Sequence, residues 1–231
     1  YKDSPSEEIF DEFENLLFAG HPIGRNILGS AESLSKFNRN HLLRFIRKNY
    51  DTNEMVLASV GNIPFEKLLR LAGKHFESEN SNHRKHQRLP FKDYKARTEH
   101  AVRDNFLSHC LIGNIAYEYN HPRKYSLVLL NNILGGPGLN SRLNLNIREK
   151  YGFAYSIDSQ YTSYSDTGWL GIYFGTDPNA MDKALRLVHK ELKKLRTEAL
   201  GSLQLSRAKQ QLIVQFAISL ESGLQEALSL G

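Results

Sequence analysis

The chain has 231 residues, 40% hydrophobic and 24% charged, an ordinary globular composition with enough apolar material for one large core or two small ones. Its net charge of +5 is spread among acidic residues without a dense basic patch, stacking aromatics or a reading motif, so nucleic acid is not an expected partner. No run approaches ~20 apolar residues, so no membrane span is expected, and the lone Cys110 builds neither a disulfide nor a cysteine zinc site.

In chain order, Ser4-Pro5 with Glu7 reads as an N-cap, N1 and N3 capping box. Phe10, Phe13, Leu16 and Leu17 follow at helical spacing and predict a core-facing stripe that ends at Gly20. His21-Pro22-Ile23-Gly24 is a turn, and a short helix is predicted near Ala31–Lys36. Asn38 caps a helix with an apolar face at Leu42, Leu43, Phe45 and Ile46. Met55–Val60 reads as a buried strand, and Gly61 with Pro64 leads it into a helix reaching Phe76. Residues 78–96 have few apolar positions and no sustained period, which predicts a linker. His83 and His86 lie there with no carboxylate at metal spacing, so no metal site is expected of them.

Beyond the linker, alternation in Arg97–Arg103 and an apolar run in Phe106–Ile112 predict strands, and Tyr125–Leu134 a helix. The stretch 130–157, LNNILGGPGLNSRLNLNIREKYGFAYSI, is where the rest of the chain converges. An apolar helix runs into Gly135-Gly136, a loop passes Pro137 and Gly138, and Asn140-Ser141 caps a second helix over Arg142–Tyr151. Gly152 suits a left-handed helix end, after which Phe153, Tyr155 and Ile157 alternate as in a strand. Strands near Phe153–Tyr164 and Trp169–Gly175 form a hairpin, and Gly175-x-x-Pro178 repeats the strand-to-helix junction of Gly61-x-x-Pro64. Two helices are predicted to carry the chain to Gly231, one of them capped by Ser202.

The block LGG-PG-x-NSRL followed by IREKYGFAYS resembles the C-terminal half of the M16 (pitrilysin/insulinase-like) zinc metallopeptidases, in particular their mitochondrial-processing-peptidase-like branch. GHPIGRNILGS at 20–30 and YDTNEMVLASVG at 50–61 resemble the end of that family's first domain. The resemblance implies an α+β chain of two related domains. Residues 1–77 would be the C-terminal part of a first domain truncated at its N-terminus, 78–96 the linker, and 97–231 the second domain. The family's metal motif, HxxEH, does not occur in this sequence and is expected upstream of Tyr1.

What the resemblance implies chemically is hydrolysis of a peptide substrate in a chamber between two domains. Zinc belongs to the complete enzyme, and none is expected on this segment. Arg148 and Tyr155 match the family's pair that contacts the substrate carbonyl from the domain opposite the zinc. An always-charged guanidinium with forked donors and a phenol on a stiff ring suit a developing oxyanion. An arginine in a last helical turn and a tyrosine in a strand are also ordinary structural residues. Gly135, Gly136, Gly138, Asn140 and Ser141 have two readings: lining of the substrate cavity, as in the family, or a tight helix-to-helix turn. The glycines lack the Gly-Lys-Ser/Thr ending of a phosphate loop. The partner is then the missing zinc-bearing portion or a second M16 subunit. Two alternatives stand beside the peptidase: a non-zinc subunit that supplies only the Arg/Tyr pair, and a non-catalytic structural subunit. The compartment is left open.

Overall fold

A computed structural model describes residues 4–77 and 89–231. In chain order the elements are helices α1 (Pro5–Leu17), α2 (Ala31–Ser35), α3 (Arg39–Asn49) and α4 (Phe65–Phe76), then strand β1 (Ser108–Ile115) and helix α5 (Lys124–Gly135). A π-helix (Asn144–Glu149) precedes strands β2 (Ser156–Ser163) and β3 (Gly168–Thr176), and helices α6 (Met181–Thr197), α7 (Ser202–Ser219) and α8 (Gly223–Leu230) complete the chain. The fold is α+β. Two compact units form, one from Tyr1–Leu28 with Pro90–Leu212 and one from Gly29–Leu89 with Ile213–Gly231.

The first unit is built on an antiparallel sheet in the order β1-β3-β2. Strand side chains alternate between faces, so Cys110 and Ile157 share a face with Phe174, which each of them opposes in register. Ile157, Ile172 and Phe174 pack there with Leu134 of α5, Leu143 and Ile147 beside the π-helix turn, and Ala184 and Val188 of α6. Burial pushes the Cys110 thiol up to about 11.

The opposite face takes α1. Phe13 meets Trp169 edge-on at 5.4 Å, and Phe10 lies 5.6 Å from Tyr173. Gly113 permits this approach, since a Cβ there would stand 2.4 Å from the Leu170 carbonyl oxygen and 2.7 Å from Phe13 Cζ. The Glu14 carboxylate accepts from Tyr164 Oη and Trp169 Nε1, both at 2.7 Å. Arg103 forks onto Glu8, at 2.7 Å, and Glu12 of the same helix.

The second unit holds α2, α3, α4, the end of α7 and α8. Asn38 caps α3 by accepting from the amides of Asn40 and His41, as its position predicts. Ser4 starts α1 but makes no side-chain cap bond; its hydroxyl meets Ser6 instead.

Several expectations are corrected. Met55–Val60 is not a buried strand: it enters no ladder, and Met55, Val56 and Leu57 are exposed. A strand exists only where a neighbour takes its amides and carbonyls, and the described residues offer that segment none. The apolar face of α3 forms as expected, with Leu42, Phe45 and Ile46 on it exposed. Arg97–Arg103 takes no strand either, and pairing begins at Ser108 instead of Phe106. The two compact units follow packing, which is a separate matter from the expected domains of common descent, 1–77 and 97–231. Residues up to Leu28 join the sheet unit because α1 buries its stripe on β3, and Ile213–Gly231 joins the helical unit. His83 and His86 lie outside the described residues.

Candidate active site

The site residues sit where α5, the π-helix and the start of β2 meet. Gly135 closes α5 directly against β2; a Cβ there would stand 2.5 Å from the Ser159 amide nitrogen. Gly136 donates its N–H back to Asn132 O, and Ser141 donates its N–H to Gly138 O. Ser141 is buried, and its hydroxyl accepts from the Asn144 amide at 2.8 Å. Asn140 and Gln211 of α7 exchange amide hydrogen bonds at 2.9 and 3.3 Å. Arg142 donates to the buried Glu191, which also accepts from Lys194.

Asn140 and Ser141 therefore line a polar cavity of about 570 Å³, together with Asn132, Asn146, Arg207 and Gln211. Gly135, Gly136 and Gly138 do not line it. Their close approaches are to Ser159, Asn132 and the Asn140–Gln211 pair, which is what a tight turn requires.

The expected α-helix over Arg142–Tyr151 is a π-helix across Asn144–Glu149, continued by Lys150, whose N–H donates to Leu145 O. The wider turn keeps Leu143, Asn144 and Ile147 buried together while Arg148 faces outward, its side chain 42% exposed. Such turns are rare and concentrate at functional sites. The guanidinium has one weak neighbour, Glu149 Oε1 at 3.8 Å from Nε, between two exposed groups.

Gly152 has φ +64°, the left-handed conformation expected of it, and donates its N–H to Arg148 O at 2.9 Å. Thr176 Oγ1 donates to Phe153 O, which fixes the exit from the turn. The predicted alternation of Phe153, Tyr155 and Ile157 breaks here. Ala154 and Ile157 are buried and Tyr155 is 66% exposed, because strand pairing starts only at Ser156. The Tyr155 amide donates to Gly175 O, while its phenol makes no hydrogen bond to the described residues. Arg148 and Tyr155 thus flank one turn as exposed donors, and neither bonds to the other.

The described residues contain no group of three or more His, Cys, Asp or Glu side chains able to hold a metal ion. No helix among them is long and apolar enough to cross a membrane.

Residues 36–212 match the family model described as the peptidase M16 inactive domain. The chain belongs to the M16 peptidase family. It is 31% identical over 224 residues to an uncharacterized zinc protease, YmxG, of Bacillus subtilis, covering 96% of this chain and 54% of that protein. It is 31% identical over 243 residues to a probable mitochondrial-processing peptidase subunit beta of Schizosaccharomyces pombe, covering 97% and 52%. An M16 inactive domain from Pseudomonas fluorescens shares its fold with a TM-score of 0.84 at 23% identity, over 92% of this chain and 52% of that one. The chain spans about half the length of the curated relatives it matches.

One polar cluster of this M16 chain escaped the sequence reading. His109 of β1 bonds to the Tyr173 hydroxyl of β3 at 2.8 Å, close to Ser156 and Asp158 of β2. The residues are up to 64 positions apart, and only the strand register brings them together.

Proposed function

We propose that this chain is the substrate-holding part of a zinc-dependent endopeptidase, and that Arg148 and Tyr155 grip the carbonyl of the bond to be cut. Support comes first from exposure without structural commitment. Both side chains stand in solvent at one turn, and neither anchors the core. The π-helix that presents Arg148 is a costly local geometry, of a kind that persists where function needs it.

Attack on a peptide carbonyl moves charge onto its oxygen. A guanidinium N–H and a phenol O–H aimed at that oxygen bind the tetrahedral oxyanion more tightly than the planar carbonyl, which lowers the barrier. Arg148 supplies fixed charge and a fork; Tyr155 supplies a neutral donor. Asn140 and Ser141 place a polar cavity in the same unit, where an extended peptide would lie. Relatives are named zinc proteases, and zinc belongs to the complete protein in this reading. The described residues include no side-chain set that fits a zinc site.

The related-domain arrangement is part of the same proposal, with 1–77 and 97–231 descending from two similar domains. Compactness and descent differ: α1 packs with the sheet unit whichever domain it comes from.

A second reading makes this chain part of a subunit that supplies the Arg/Tyr pair to a zinc-bearing partner. One relative is itself named as a processing-peptidase subunit, which favours it. The test of the common core is Tyr155→Phe in the complete, zinc-loaded protein or pair. An oxyanion role predicts a loss in kcat/KM on the order of 10²-fold with unchanged thermal stability. Wild-type turnover would return Tyr155 to the ordinary surface aromatics.

A further inference from the structure

The polar cavity of about 570 Å³ holds charged groups that the fold leaves uncommitted, Arg142, Arg207 and Glu198. Arg142 is half-buried. Its Nε donates to Glu191 Oε2 at 3.1 Å, and its two terminal nitrogens have no acceptor among the described residues. Glu191 Oε1 also takes Lys194 at 3.0 Å, so two cations share one buried carboxylate and one positive charge is left over. Arg207, on the second turn of α7, makes no ion pair or hydrogen bond to the described residues, and neither does the Glu198 carboxylate. Neutral donors stand beside them. Asn146 of the π-helix has no side-chain partner among the described residues. Gln204 Oε1 accepts from the Gly201 amide at 3.3 Å, which leaves its NH2 group to donate elsewhere.

We infer that this cavity binds a carboxylate of the peptide substrate, with Arg207 and the terminal nitrogens of Arg142 as its charged donors. The inference rests on the reading of this chain as the part that holds the peptide, and it names the chemical group held in the cavity. That group is an acidic side chain or a free C-terminus, which share the same chemistry.

Charge and geometry favour a carboxylate over other ligands. A guanidinium presents parallel N–H donors that match the two oxygens of a carboxylate. Glu191 already holds Nε of Arg142, so little side-chain freedom is lost when the remaining nitrogens bind. Glu198 offsets Arg207, and the surplus positive charge of the Arg142 group suits a monoanion. A phosphate group carries about −1.5 to −2 at neutral pH and would face Glu198 with charge unmatched. A cationic side chain would meet two guanidinium groups against one free carboxylate. An apolar side chain would strip water from both arginines and put nothing in its place. Position agrees as well. The π-helix carries Asn146 at the cavity and Arg148 at the turn, so one extended peptide, advancing roughly 3.3 Å per residue, can reach both.

Arg207→Gln removes one charge from an exposed helix position and makes no demand on the core. Arg207→Lys keeps the charge and loses the fork. Glu198→Gln removes the opposing carboxylate. Arg142 is left in place, because the buried Glu191 depends on it.

The experiment uses the complete protein with zinc removed, so that peptides bind without being cut. Three kinds of tetramethylrhodamine-labelled probe are followed by anisotropy. The first is a neutral peptide of alanine, glutamine and leucine with an amidated end. The second carries one glutamate, placed at each position in turn, and the third has a free C-terminus. At low salt the best acidic probe should bind about tenfold more tightly than the neutral one. Arg207→Gln should cut that advantage to about twofold or less and leave the neutral probe unchanged. Arg207→Lys should keep part of it, and Glu198→Gln should widen it. A preference for glutamate assigns the cavity to a side chain, and a preference for the free end alone assigns it to a C-terminus; either supports the subsite. Equal Kd for neutral and acidic probes, or an advantage kept in full in Arg207→Gln, overturns the subsite, while binding of the neutral probe leaves the parent reading standing. Failure of every probe to bind overturns the parent reading and the subsite with it.

Discussion

Replacing Glu14 by alanine removes the acceptor that ties α1 to the sheet. Its carboxylate takes two hydrogen bonds, from Tyr164 Oη and Trp169 Nε1, each 2.7 Å long. Bonds to a charged group contribute about 1.5–3 kcal/mol apiece, and Trp169 is too buried to recover its partner from water. Allowing for partial rescue of the half-buried Tyr164, the variant should lose about 3 kcal/mol. With a urea slope of about 2 kcal/mol per molar, the unfolding midpoint falls by about 1.5 M. Trp169 is the only tryptophan, so its fluorescence reports the sheet unit specifically. Glu14→Gln keeps an acceptor oxygen and loses the charge, and should fall between. The Tyr164 hydroxyl gives a second readout. Burial first, and then the hydrogen bond to Glu14 and its charge, push its pKa up to about 12. A phenol that holds its proton more tightly when folded stabilises the native state below its unfolded pKa of about 10. That contribution is lost as pH rises from about 10 towards 12. In Glu14→Ala the tyrosine absorbance step should move to lower pH. A midpoint within about 0.25 M of wild type, a loss of under about 0.5 kcal/mol, would refute this account of the α1 contact.

Three further outcomes follow from the packing. Gly135→Ala should destabilise by about 2 kcal/mol, since its methyl meets the Ser159 backbone at 2.5 Å and Leu143 Cδ1 at 2.9 Å; urea titration checks it. The Cys110 thiol, held near 11 by burial, should resist a thiol reagent at pH 8 in the native protein and react fully in denaturant. Arg142→Ala leaves the buried Glu191 with Lys194 alone and should cost about 2 kcal/mol, measured the same way, whereas Lys36→Ala at the exposed Glu32 pair should cost under about 0.5 kcal/mol.

Local signals carried much of this structure. Helical spacing in the first twenty residues, the Asn38 cap, the Gly152 stop and the hairpin between Ser156 and Thr176 are read from neighbours in sequence. The block from Leu134 to Ser156 carries the family signal in contiguous residues alone. What sequence concealed depends on partners. Met55–Val60 has strand composition, yet composition cannot supply the ladder that would make it a strand. The π-helix has no residue signature of its own; it arises because Leu143, Asn144 and Ile147 are buried together. Tyr155 left its predicted alternation because the register starts one residue later. The union of α1 with the sheet, and of His109 with Tyr173, needs the register of β1 on β3.

The central claim is that Arg148 and Tyr155 act together on one oxygen. A double-mutant cycle with Arg148→Lys and Tyr155→Phe in the complete, zinc-loaded protein tests it most directly. Lysine keeps the charge and loses the fork; phenylalanine keeps the ring and loses the donor. Two groups on one transition-state oxygen should couple, so the double variant should lose clearly less in kcat/KM than the product of the single losses. Thermal stability should hold in all three, as both side chains are exposed. Near-normal rates in the single variants, or losses matched by falling stability, would contradict the account.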